Sequence, residues 1–155
     1  IAIYKGQIKT LEPIGDKKTH PLIYGMLEGE KAHAQKFDEL VEKKKTRATA
    51  LMPLWHLSGF TLGVVSALGG RNSLMACTEA VEEVIDKHYS DQISELENSG
   101  KEPEILEIVK KFHADELEHE EIAKNEISEN TPFLNAFKKV VKVGCKVAIN
   151  VSEKI

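Results

Sequence analysis

Two stretches of this chain place a glutamate three residues ahead of a histidine: Glu30 and His33 in "LEGEKAHAQKF", and Glu116 and His119 in "ADELEHEE". On a helix, residues three or four apart share a face, so each pair projects from one side. The bare spacing is weak evidence in a glutamate-rich chain, and position is stronger. Glu30 and His33 fall in line with Met26, Leu27, Ala34 and Phe37, while Glu116 and His119 continue the stripe Ile105, Val109, Phe112, Ala123. In "AVEEVIDKHY" the same test separates two adjacent glutamates. Glu82 lies with Thr78, Ile85 and Tyr89 and is expected to face inward; Glu83 groups with Glu79, Ala80, Asp86 and Lys87 and is expected to face water. Glu118 and Glu121 point away from the stripe, and His20 and His113 read as ordinary surface histidines.

Gathering bare carboxylates in a core is costly, because like charges repel there and each loses its hydration. A bound cation removes that cost. Donors rich in carboxylate, poor in imidazole and without thiolate suit iron or manganese better than a closed zinc site, and two metals can share bridging glutamates. A four-helix bundle with a Glu from each of two helices and an ExxH from each of the other two is the di-iron carboxylate arrangement. This chain shows ExxH, Glu, ExxH in that order. The competing reading is of solvated helix faces with incidental histidines.

Helical periodicity dominates and β-like alternation is scarce, so the expected fold is all-α, with five or six helices. The first is a stub ending near Leu11, the second runs from about Pro21 to Lys45, and the third from about Pro53 to Leu68. "GGRNS" separates it from a fourth over about Leu74 to Glu97; a fifth spans Pro103 to about Ile127 and a sixth Phe133 to Ser152. At 155 residues a single domain is expected, residues 1–155, and a net charge of −4 lacks the basic excess that nucleic acid would require. Cys77 and Cys145 form no CxxC pair and read as buried thiols of a reducing compartment. The opening "IAIYKGQIKTL" has no initiator Met, signal sequence or cap, and reads as starting inside an element.

The segments "IYKGQ", "EKAHAQKFDEL", "LMPLWHLSGFTLG", "MACTEAVEEVIDKHY", "KFHADELEHEEIA" and "GCKVAINVSEKI", in order over essentially the whole chain, resemble the demethoxyubiquinone hydroxylases of ubiquinone biosynthesis. The resemblance implies a ferritin-like four-helix bundle with an extra apolar crossover helix and a C-terminal helix. It implies two iron ions held by Glu30, His33, Glu82, Glu116 and His119, and O2-dependent hydroxylation of a prenylated quinone ring with electrons from NADH. A sixth ligand, a Glu on the first helix, is expected ahead of Ile1; Gln7 and Glu12 fall on the wrong side of that position. By analogy with related di-iron bundles, Asp115 is placed to orient His33. His88 and Tyr89 match a position near the iron that can assist electron or proton delivery, with core packing an equal reading for Tyr89.

From Ala50 to Gly70 there is no charged residue, about the ~20 residues that cross a bilayer. A full crossing would part the Glu30 helix from the Glu82 helix, so the expected role is a crossover resting in one leaflet, with Trp55 as an interfacial anchor. Packed core or a homo-oligomer interface is the alternative. The resemblance adds a polyprenyl substrate, a lipid-binding accessory protein of the same pathway, and a peripheral location on the matrix face of the mitochondrial inner membrane or the cytoplasmic face of a bacterial one. Iron storage in a ferritin-like cage, which gains nothing from an uncharged crossover, and a non-catalytic membrane-associated helical protein whose acidic interior merely binds metal are the rival functions.

Overall fold

A computed structural model describes all 155 residues, Ile1–Ile155. The all-α expectation holds: six helices, α1 (Ala2–Leu11), α2 (Thr19–Lys44), α3 (Met52–Leu68), α4 (Arg71–Ser99), α5 (Pro103–Glu126) and α6 (Pro132–Ser152), with a 3-10 turn over Glu12–Ile14 and no strand. In chain order α3 is the apolar crossover and α6 the C-terminal helix of the ferritin-like reading. α2 begins two residues earlier than expected because Asp16 supplies a cap from outside it, its Oδ1 accepting the N–H groups of Lys18 (2.8 Å) and Thr19 (2.7 Å). "GGRNS" is a shorter break than expected. Gly70, at φ +86°, makes the turn, and Arg71 to Ser73 already belong to α4.

The chain forms two compact units, Ile1–Leu74 with Val147–Ile155, and Met75–Lys146. In the first, α1 packs on α3 backbone to backbone. A Cβ built on Gly63 would lie 2.0 Å from the carbonyl oxygen of Ile3, and one on Gly6 would lie 2.2 Å from that of Phe60. Only glycine permits this approach, as in the small-residue helix contacts of membrane proteins. Buried Gln7 threads the contact, its amide donating to Ser66 Oγ (3.3 Å) and the carbonyl of Leu74 (3.4 Å). The opposite side of α3 exposes Leu54, Leu57, Phe60, Val65 and Leu68, and no helix is long and apolar enough to cross a membrane. Trp55 departs from the role of free anchor: it is half-buried, and its indole N–H donates to Ser152 Oγ at 2.8 Å.

The second unit is built from most of α4, α5 and most of α6. Its apolar core includes Met75, Ala76, Cys77, Ala80, Val84, Val109, Phe112, Ala123 and Val141. Around that core runs a set of ion pairs, Lys138 to Glu79 at 3.1 Å, Lys110 to Glu97 at 2.8 Å, Lys142 to Glu83 and Lys124 to Glu120. α6 therefore carries a lysine on its inner face: Lys138 turns inward between buried Leu134 and Val141, while Phe133, Val140 and Val143 face outward.

Candidate metal centre

α4 and α5 form a helical hairpin in which residue numbers rise along one helix as they fall along the other, so that Glu82 meets Glu116 and Asp86 meets His113. At its centre Glu82, Glu116 and His119 each offer a ligand atom, all within 4.8 Å of one another. Glu82 and Glu116 are each only 3% exposed, the helical phase expected of them. His119 Nδ1 lies 3.3 Å from Glu116 Oε2, a contact that the three-residue spacing supplies within one helix. Two buried carboxylates and one imidazole converging on a point constitute a hard and borderline donor set that suits iron or manganese. Cys145 adds no thiolate: burial foremost, and then the charge of Glu82, push its thiol up to about 11.

Glu30 and His33 belong to the other unit, on α2. His33 is 5% exposed and Glu30 half-buried, in register with buried Ile23, Met26, Leu27 and Leu40. The inward phase of that pair is thus as expected. His88 and Tyr89 diverge: Tyr89 is buried, and half-buried His88 meets the Gln92 amide through Nε2 at 3.1 Å. Asp115 is half-buried on α5.

Two expectations need correction. Glu79 and Ala80, grouped with the water-facing Glu83, are buried, because Lys138 of α6 covers that side and neutralises Glu79; Glu83 itself is only partly exposed and pairs with Lys142. His113 is not an ordinary surface histidine. Its Nε2 lies 2.6 Å from Asp86 Oδ1 with the side chain 19% exposed. Buried Glu120, paired with Lys124, was also outside the sequence reading. The signal for Glu79 was available in the buried stripe Leu134, Lys138, Val141, whose central lysine demands a carboxylate partner.

An all-α chain with a buried carboxylate–imidazole cluster between adjacent helices defines the class, a helical protein whose buried donors could hold a hard metal ion. A family profile described as "Ubiquinone biosynthesis protein COQ7" matches residues 1–152, and the chain belongs to that family. A Dictyostelium discoideum protein named NADPH-dependent 3-demethoxyubiquinone 3-hydroxylase, mitochondrial, is 44% identical over 154 residues, covering 99% of this chain and 70% of that one. The human protein of the same name is 43% identical over 155 residues, with 99% and 70% covered. A Rhodospirillum rubrum protein named 3-demethoxyubiquinol 3-hydroxylase is 37% identical over 156 residues, covering 100% of this chain and 71% of that one. Two of these names carry NADPH where the sequence reading expects NADH.

Proposed function

We propose that this chain is a di-iron, O2-dependent monooxygenase that hydroxylates the ring of demethoxyubiquinone in ubiquinone biosynthesis. The observation that carries the reading is the buried Glu82–Glu116–His119 cluster, in a chain whose relatives bear hydroxylase names. In this reading Glu30 and His33 would add to the ligand set, with Asp115 orienting His33. Two iron ions held there would supply the activation of O2, one atom of which enters the ring C–H bond as hydroxyl while the other leaves as water. The two electrons come from a reduced nicotinamide nucleotide, NADH in this reading. Because the relatives' names print NADPH, turnover with the two nucleotides side by side decides between them.

The protein's own part is to hold the donors converged and dry. Glu82 and Glu116 are held by helices packed on an apolar core, so a metal ion bound there would take the place of the water that free carboxylates require. Tyr89, buried on α4 and seven residues from Glu82, lies about 10 Å further along the same face and serves electron or proton delivery, with His88 beside it in sequence. The exposed apolar side of α3 rests in one leaflet and forms the rim of the quinone entrance, since each polyprenyl CH2 drawn into water costs about 0.8 kcal/mol. The protein then sits peripherally on the inner membrane, and the same surface is where the lipid-binding accessory protein docks.

Anaerobic iron titration with Mössbauer spectroscopy, followed by oxygen and quinone product analysis, tests this directly. About two irons per chain and a hydroxylated quinone are expected. One tetrahedral zinc and no iron, with iron supplied, would refute it.

A further inference from the structure

Beyond the carboxylate–imidazole cluster, the α4–α5 hairpin holds a second histidine–carboxylate pair, to which the proposed reaction assigns no part. Asp86 lies one helical turn past Glu82, and His113 one turn before Glu116, so the pair forms the next rung of the same hairpin. His113 Nε2–H donates to Asp86 Oδ1 at 2.6 Å, and Ser90 Oγ lies 3.5 Å from the same nitrogen. Tyr89 packs against the ring so held: the centroids of Tyr89 and His113 are 6.2 Å apart and the planes inclined by 53°, a tilted aromatic contact.

We infer that Asp86 and His113 are positioning residues that fix the ring of Tyr89. The chain of causes is short. A half-buried imidazole without an acceptor can turn about its side-chain bonds, but one bound to a carboxylate at 2.6 Å presents a fixed face. Tyr89 is 8% exposed and borders that face, so its own orientation is set by the pair as well as by the apolar core. Delivery through an aromatic ring depends on placement at the ångström scale, and a misplacement of about 1 Å can cost on the order of a hundredfold in rate. The part of this inference that concerns turnover rests on the proposed delivery role of Tyr89; the structural part does not.

The test separates the two. Tyrosines labelled with 13C in the metal-free full chain are assigned from Tyr4→Phe, Tyr24→Phe and Tyr89→Phe variants, and the flip rate of the Tyr89 ring is measured by NMR. His113→Ala and Asp86→Ala should each speed that flip about tenfold or more and move the ring resonances, while Asp86→Asn, which keeps an acceptor oxygen, should restore both. His113→Gln serves where His113→Ala does not fold. In iron-loaded protein the loosened variants should lose about five- to twentyfold in kcat with KM within about twofold. An unchanged Tyr89 flip rate and shift in folded His113→Ala and Asp86→Ala proteins would overturn the inference. Full turnover by Tyr89→Phe, with the NMR effects present, would instead remove the delivery role and leave the positioning intact.

Discussion

The α1–α3 contact and the α4–α5–α6 contacts solve helix packing in opposite ways. α1 meets α3 by removing side chains: Gly6 and Gly63 let carbonyl oxygens of the facing helix occupy the space a Cβ would need, and no charge is involved. α4, α5 and α6 meet through charge, with Glu79 and Glu83 of α4 matched to Lys138 and Lys142 of α6, Glu97 of α4 matched to Lys110 of α5, and Glu82, Glu116 and His119 gathered between α4 and α5. The first contact tolerates no added atom but is indifferent to pH and ions. The second tolerates shape changes but not the loss of a counter-charge. The candidate metal cluster lies in the second kind of surroundings, where buried Glu79 and Glu120, outside the cluster, each already have a lysine.

That contrast can be broken at its strongest point first. Glu82→Ala should lower hydroxylation by about a hundredfold or more and abolish full iron loading, while Glu83→Ala, which frees Lys142 at a partly exposed position, should stay within about threefold. Metal analysis and product formation measure both. In the metal-free chain Glu82→Ala should not destabilise, since it relieves one of two adjacent buried carboxylates.

Next in size is the buried pair of Lys138 and Glu79, 12% and 10% exposed. Lys138→Ala should cost about 3–5 kcal/mol by urea unfolding, because it strands Glu79, and the double change to Lys138→Met with Glu79→Leu should recover most of it. The steric contact is tested by Gly63→Ala, expected to cost about 1–3 kcal/mol, since the obstructing atom is backbone. Gly25→Ala, with nothing near its Cβ, should instead stabilise α2 by roughly 0.5–1 kcal/mol.

An effect of similar small size concerns Asp16. Hydrogen bonds from Thr19, its backbone N–H foremost, hold the carboxyl below its ordinary 3.8. A folded-state pKa below the unfolded one stabilises above the unfolded value and is lost as pH falls through the folded value. Asp16→Ala should therefore cost about 1 kcal/mol at neutral pH and progressively less below about pH 4, read from paired thermal melts.

The helices were legible because apolar periodicity and Gly/Pro punctuation agree along the whole chain, and the largest boundary shifts have local causes. Asp16 caps α2 from outside it, and Arg71 to Ser73 extend α4 backwards to Gly70. Glu82 and Glu116 were legible because they lie in line with apolar residues, Ile85 and Tyr89 for the one and Val109, Phe112 and Ala123 for the other. Glu79 and His113 were not, because a face flanked by charges looks wet until a neighbouring helix supplies Lys138, or the hairpin supplies Asp86. The spacing Gly59-x-x-x-Gly63 was a readable sign of the α1–α3 contact; Gly6 on the opposite helix was not, since one isolated glycine has no period.

The glycine contact also imposes an order on assembly. The groups that α1 needs are far along the chain: Gln7 finds Ser66 and the carbonyl of Leu74 across 59 and 67 residues, and Gly6 faces Phe60. Closing loops of that length is slow relative to forming a local helical hairpin such as α4–α5. On a translating ribosome α1 emerges long before α3, so its Tyr4, Gln7, Ile8 and Leu11 face lacks its final partner through the synthesis of α2. Chaperone occupancy of nascent chains should consequently peak in that interval and fall once α3 is free of the exit tunnel.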